Sequence, residues 1–269
     1  MQNTRNSNAG VWEPKVHFYV LGVPVNAVQV PDAVKWMESC ISERSCCNYV
    51  AVTGMHGVIE AQHDAAFKRI LNTADLVVPD GMPLVWIGRR RGYRLERRVY
   101  GPELMQTFCQ HTGDKYRHFF YGGAPGVATT LADTLRRSHE IRIAGCHSPP
   151  FGALSSDADD EVVAMLNRAN ADILWVGLGT PKQERWMYVH QNRLNVPVLV
   201  GVGAAFDLVS GRVKQAPVWM REHGLEWSFR LWQEPQRLWR RYLIYGSEFA
   251  LRVVWNECCG KTKAVSATE

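Results

Sequence analysis

The chain has 269 residues, 46% hydrophobic and 21% charged, with a formal net charge of +5. This is ordinary globular composition, and it excludes a collagen-like, mucin-like or disordered chain. The mild basic excess favours an anionic partner without identifying one. Seven cysteines, including the adjacent pairs Cys46-Cys47 and Cys258-Cys259, form no C-x-x-C pair that would seed a zinc or redox site.

In chain order, residues 1–14 read as a polar, disordered arm with no apolar core of a signal peptide. Short β-branched runs follow at 16–20, 47–53, 75–78, 117–121, 141–145, 172–177 and 196–202. Helical patterns fill the gaps, at about 31–43, 57–71, 81–90, 101–112, 125–138, 157–169 and 181–193. Strands separated by helices of this length predict βαβ units and an α/β fold with a mostly parallel sheet, helices on both faces. Thr180-Pro181 reads as N-cap and first residue of a helix, and Ser156-Asp157 as a looser start. The expected division is an α/β domain over 15–211, a helical appendage over 212–256 and a disordered tail over 257–269. No run reaches the roughly 18 apolar residues of a membrane span.

In an open parallel sheet, ligands bind beyond the carboxyl ends of the strands. Thr53-Gly54-Met55-His56-Gly57, Asp80-Gly81, Gly122-Gly123, Gly177 to Gln183 and Gly201 to Asp207 all stand at such ends. Glycine there lets backbone N–H groups and helix N-termini approach phosphate. A dinucleotide oxidoreductase is disfavoured. The turn at 122–126 is not G-x-G-x-x-G, and no acidic residue ends the next strand to hold a ribose.

Asp80 stands between an apolar strand and Gly81, where it is either a reactive carboxylate or a helix N-cap. His56 is either a second ionisable group of the crevice or a turn histidine. Arg89, Arg90, Arg91, Arg94, Arg97 and Arg98 crowd one loop, as solvated surface or as a clamp on a diphosphate. Between 219 and 255, five tryptophans alternate with six arginines. That segment reads as core packing or as a membrane-interface surface. The glutamates among them speak against nucleic acid.

These segments, in this order, resemble the WecG/TagA/CpsF family, glycosyltransferase family 26. They are LGVPVNAV (21–28), ADLVVPDGMPLVW (74–86), RRVYGPEL (97–104), FFYGGAPG (119–126), ADILWVGLGTPKQERWM (171–187), VGVGAAFDLVSGRVKQAPVWM (200–220) and GLEWSFRLWQEPQRLWRRY (224–242). The resemblance implies a Rossmann-like fold and an enzyme that works without metal or cofactor. It would move a sugar from a UDP-sugar onto a polyprenyl-diphosphate-linked saccharide, with inversion, peripherally at the cytoplasmic face of the inner membrane. Nucleic acid is not an expected partner, and a homo-oligomer is left open.

By the same resemblance, Asp80 is the general base. Thr53 and Gln183 line its pocket and Arg98 meets the diphosphate; from their place at the strand ends, His56, Gly122, Gly123, Gly179, Lys182 and Asp207 are further substrate-binding candidates. Arg237, Arg240 and Arg241 meet the membrane or the acceptor. Met55 stands where the family often has asparagine, so the sequence looks nearest the exopolysaccharide branch that adds a second glucose. The donor is thereby left between glucose and N-acetylmannosamine types. The alternative is a non-catalytic, membrane-associated nucleotide-sugar-binding partner of a polysaccharide assembly.

Overall fold

The computed structural model describes residues 16–150, 152 and 155–259. The arm expected over 1–14 lies outside them.

The chain opens with a hairpin, β1 (His17–Val20) and β2 (Val23–Asn26), antiparallel and separate from the main sheet. This corrects the expectation that the first run joins the parallel sheet. Leu21 and Gly22 both have positive φ, 51° and 79°, which is the turn that matches the twist of a two-residue hairpin. Pro24 is tolerated because β2 pairs on one side only. The hairpin covers the sheet's edge, where the Asn26 side chain accepts a hydrogen bond from Val77 N at 2.8 Å.

After α1 (Val30–Glu43) comes β3 (Asn48–Thr53), then α2 (Met55–His63) and α3 (Ala65–Asn72). One helix was expected over 57–71. Asp64 splits it, because its extended backbone ends α2 and its side chain caps Phe67 N of α3. Then follow β4 (Leu76–Pro79), α4 (Met82–Arg90), α5 (Gly101–Thr112), β5 (Arg117–Gly122), α6 (Val127–His139) and β6 (Arg142–His147). The α/β layer closes with α7 (Ser156–Ala169), β7 (Ile173–Gly177), α8 (Lys182–His190), β8 (Val198–Gly201) and α9 (Ala205–Val209).

Six strands form one sheet in the order β4-β3-β8-β7-β5-β6, all parallel. Alternation along each strand divides the core. Val50, Val52, Trp175 and Val200 face α1, α5 and α6. Tyr49, Leu174 and Leu199 face α7 and α8, while Ala51 and Val77 face α2, α3, α4 and the hairpin. Helices therefore cover both faces, as an all-parallel sheet requires.

The last segment is helical: α10 (Val218–Glu222), α11 (Glu226–Gln233), α12 (Pro235–Trp239), a π-helical turn Arg240–Ile244, and α13 (Tyr245–Cys258). Glu257 and Cys258, expected in a disordered tail, complete α13; residues 260–269 lie outside the description. α13 lies on α2. Phe249 is buried there, Met55 reaches Gly246, and His63 pairs with Glu248 at 2.8 Å. Among the described residues, no helix is long and apolar enough to cross a membrane.

Candidate active site at the carboxyl ends of the strands

The strand order brings the ends of β4, β3, β8 and β7 side by side, and the loops after them form one crevice. Asp80 N donates to Thr53 O at 2.9 Å, which ties the end of β4 to that of β3. Thr53 and Thr180 lie together over Gly57. The side chain of Gln183 lies against Gly201 and Gly203 at the end of β8.

Asp80 is not a helix cap. The N-cap of α4 is Gly81, at φ 130°, and the Asp80 carboxyl accepts no hydrogen bond from any described residue. Loss of solvation pushes its pKa up to about 6. Arg98 opposes the rise, Glu226 adds to it, and Arg241 and Arg230 oppose it more weakly. A half-buried carboxyl with its pKa held near neutrality is the form a general base needs.

Arg98 is placed by Val99 N, which donates to Pro79 O at 2.8 Å beside Asp80. Its guanidinium lies 4.1 Å from the ring centroid of Tyr100 and pairs with Glu226. Burial works against its charge, but the Asp80 and Glu226 carboxylates outweigh that and raise its pKa. The rest of the arginine cluster goes elsewhere. Arg89 holds the Leu95 and Glu96 carbonyls, Arg91 holds Tyr19 O, Arg90 pairs with Glu257 at 3.0 Å, and Arg97 pairs with Glu103 at 3.5 Å. The reading of the six arginines as one clamp is therefore corrected: of the five with partners just named, only Arg98, paired with Glu226, acts through its charge on Asp80.

Thr53 is buried at the end of β3, and its hydroxyl has no partner among the described residues. His56, in the first turn of α2, stacks on Tyr245 at 5.6 Å, and its Nδ1 also lacks a partner. Burial, then Arg241, push its pKa down to about 3, so it is neutral. Met55 points to α13 instead of the crevice.

The segment after β7 departs from expectation at its cap. Pro181, not Thr180, is the N-cap of α8, because the Thr180 hydroxyl is spent on Glu184 Oε1 at 2.7 Å. Gln183 is buried; its Oε1 accepts from Gly179 N at 3.2 Å and its Nε2 donates to Glu184 at 3.0 Å. Its visible role is to hold the Gly179 turn. Gly179, at φ 77°, faces open space, while Lys182 is exposed.

Gly122 and Gly123 owe their identity to packing. A Cβ on Gly122 would lie 2.6 Å from the Gly177 carbonyl carbon, and Gly123 N donates to Gly177 O. Beyond them, Ala124, Gly126, Thr130, Ser210 and Arg212 line a cavity of about 320 Å³. Asp207 borders it through Arg212, at 3.2 Å.

The three appendage arginines separate. Arg237 and Arg240 are exposed, Arg237 beside Glu234 and Arg240 over the Trp239 ring. Arg241 turns inward, where its charge acts on Asp80, His56 and Glu184. The membrane assignment therefore holds no support at Arg241. Four residues were not singled out from sequence: Tyr100, Glu184, Glu226 and Arg230. Tyr100 and Glu226 sit inside the quoted motifs, but nothing in one sequence says that they meet. Glu184 is fully buried, and burial raises its pKa against the hydrogen bonds from Thr180 and Gln183. Among the described residues, no group of three or more His, Cys, Asp or Glu is placed to hold a metal ion.

Residues 18–263 match the sequence model of the Glycosyl transferase WecG/TagA/CpsF family. Three relatives carry the name N-acetylglucosaminyldiphosphoundecaprenol N-acetyl-beta-D-mannosaminyltransferase. One from Bacillus spizizenii is 28% identical over 227 residues, covering 82% of this chain and 86% of its own. One from Bacillus subtilis is 31% identical over 202 residues, covering 74% and 76%. One from Staphylococcus aureus is 26% identical over 222 residues, covering 82% and 86%.

Proposed function

The chain belongs to the WecG/TagA/CpsF glycosyltransferase family, and from that premise we propose that it moves a hexose, with inversion, from a UDP-sugar to a polyprenyl-diphosphate-linked sugar. The observation that carries this reading is Asp80: a carboxylate at a strand end, without a hydrogen bond from any described residue, held near neutral pKa among Arg98, Arg230 and Arg241.

The chemistry follows from that arrangement. The acceptor hydroxyl oxygen attacks C1 of the donor sugar from the face opposite the diphosphate, and Asp80 takes the hydroxyl proton. The C1–O bond to UDP breaks, and its electron pair leaves with the β-phosphate. Guanidinium groups of the crevice offset that charge where water is excluded. Gly179, with open space before it, and the cavity beside Asp207 give the donor room. A purely binding partner would have no use for an unpaired, proton-accepting carboxylate at this place.

The names of the relatives support a diphosphoundecaprenol-linked acceptor. They also support N-acetylmannosamine as donor sugar, whereas Met55, turned to α13, offers no amide to an N-acetyl group. The donor is a hexose of glucose or N-acetylmannosamine type, and the product belongs to surface or exopolysaccharide synthesis. The protein works peripherally at the cytoplasmic membrane face. Most of its exposed large apolar side chains among the described residues lie between Val218 and Trp255, including Trp232 and Trp255 at 80% and 70% exposure.

The test is transfer from a panel of UDP-sugars to synthetic polyprenyl-diphosphate-glucose and its N-acetylglucosamine counterpart. One donor–acceptor pair should be used well above the rest, with a β-linked product. No transfer by the folded protein with any pair would overturn the proposal.

A further inference from the structure

The appendage meets the catalytic domain through a carboxylate. Glu226 begins α11 and is 6% exposed. Its Oε2 accepts from Arg98 Nη2, and its Oε1 accepts from the Tyr100 hydroxyl at 2.7 Å. Arg98 is stacked on that same Tyr100 ring, and only 15% of its side chain is exposed. The three groups close on one another in a buried triad.

Two carboxylates thus face one guanidinium. Asp80 receives no hydrogen bond from Arg98, although Arg98 is the strongest charge acting on it. The other charged groups acting on Asp80 come from the appendage: Glu226 and Arg230 on α11, and Arg241 on the π-helical turn. The arginine contributed by the catalytic domain is therefore committed to the appendage, while the carboxylate beside it in its own domain is left unpaired.

We propose that Glu226 is a positioning residue: by holding the Arg98 guanidinium on α11, it keeps that guanidinium off Asp80 and leaves Asp80 able to accept a proton. The inference rests on reading Asp80 as the base. A guanidinium fork closed on Asp80 would occupy both carboxylate oxygens and stabilise their charge, which is the opposite of what a base requires. With Glu226 as competitor, Arg98 still lies close enough to offset charge on a diphosphate, but it does not neutralise the base. Docking of α11 and readiness of Asp80 are then a single event. An enzyme whose acceptor sits in a membrane gains from this, because the base is unquenched only when the membrane-facing helices are in place.

The test reads Asp80 itself, in the full chain, by carboxyl-carbon NMR titration, with the signal assigned through Asp80→Asn. Glu226→Gln preserves shape and the Tyr100 hydrogen bond but releases the arginine. Its Asp80 midpoint is expected to fall by about one to three pH units, the usual effect of an arginine partner. In the Arg98→Gln background the same substitution should lower the midpoint far less, since only the direct effect of the Glu226 charge is then lost. The acid limb of kcat/KM should move with it, whereas a merely structural clasp would lower kcat without moving that limb.

A midpoint that stays or rises in folded Glu226→Gln overturns the proposal. So does a fall of the same size when Glu226→Gln is made in the Arg98→Gln background, since the effect would not then run through Arg98. If Glu226→Gln does not fold, Tyr100→Phe loosens the hold on Glu226 more gently. A smaller fall is expected there, and none at all counts against the proposal. The titration needs no substrate. A chain without transferase activity would therefore sink the functional reading and leave the Glu226 result to be judged by itself.

Discussion

Gly54 and Asp80 are so close that a Cβ on Gly54 would lie 2.4 Å from the Asp80 carbonyl oxygen. The Asp80 backbone has little freedom to retreat, because its N–H is bonded to Thr53 O at 2.9 Å. The two strand-end turns therefore seat each other, and the position of the base depends on a missing side chain one strand away. Gly54→Ala should shift Asp80 by a fraction of an ångström to an ångström. Turnover should fall by about a hundredfold, with the protein still folded. Steady-state kinetics with circular dichroism checks this, and unchanged turnover would show that the crevice absorbs the shift.

Asp80→Asn should lower turnover at least about a hundredfold, as expected for loss of a general base. It should also stabilise the fold. The folded pKa, about 6, lies above the unfolded value near 4, so the native state binds the proton more tightly. That stabilisation is present below about pH 4 and is lost as pH rises through about 6, which leaves a charged, poorly solvated carboxylate at neutrality. Asparagine removes the cost, and the gain in unfolding free energy at pH 7.5 should be on the order of 1 kcal/mol. Wild-type kcat/KM should rise with pH through about 6. Near-wild-type turnover of Asp80→Asn would remove it as the base.

Arg98 and Arg90 share a loop but not an environment. Arg98→Lys loses the planar fork that serves Glu226 and any diphosphate, so kcat/KM should fall at least about tenfold. Arg90→Ser removes only an exposed pair with Glu257 and should change it less than about twofold. Equal small effects at both positions would return Arg98 to a surface role.

The outer face of the appendage should bind anionic vesicles reversibly and more weakly at high salt. Replacing Arg237 and Arg240 by Glu should cost at least about 2 kcal/mol of that binding, at about 1 kcal/mol per cation removed. Trp232→Ala with Trp255→Ala should weaken it at all salt concentrations, since apolar burial is not screened. Arg241→Glu, in contrast, should lose activity more than sedimentation. Unchanged co-sedimentation of the folded Arg237/Arg240 variant would show that this face does not meet lipid.

Two histidines, His118 buried and His56 half-buried, should make the fold acid-sensitive. Burial pushes His118 to about 3, as it does His56, and Trp175 Nε1 donates to His118 Nδ1 at 3.1 Å. Both folded values lie below the unfolded one near 6.5, so their contribution is present above that pH and is lost as pH falls toward about 3. His118→Gln can still accept from Trp175 but takes up no proton. Its stability, followed by urea unfolding between pH 7 and 5, should decline less steeply than that of the wild type. An identical slope would assign the acid sensitivity elsewhere.

The alternation of apolar runs and helical patterns was enough to read the parallel sheet, since strands covered on both faces must be apolar throughout. Where the reading missed, one side chain or one turn decided. Pro24 and Gly22 look like breakers until Leu21 and Gly22 close a hairpin. Asp64 looks like one polar residue in a helix until its carboxylate caps Phe67. Thr180 looks like a cap until its hydroxyl bonds Glu184.

The family, the strand-end turns and Asp80 as the carboxylate to watch are legible in the chain alone, because these are local: a glycine, a proline or an acid at the end of an apolar run carries its meaning within a few residues. Which charges meet is settled by folding. Arg98 was one of six arginines in a loop, Arg241 one of three in a row of candidates, and Glu226 one acid among several in the appendage. Pairing across 128 residues, as between Arg98 and Glu226, leaves no spacing to read. The energy of such a pair depends on distance and on exclusion of water, and both arise only when α11 packs over the ends of the strands.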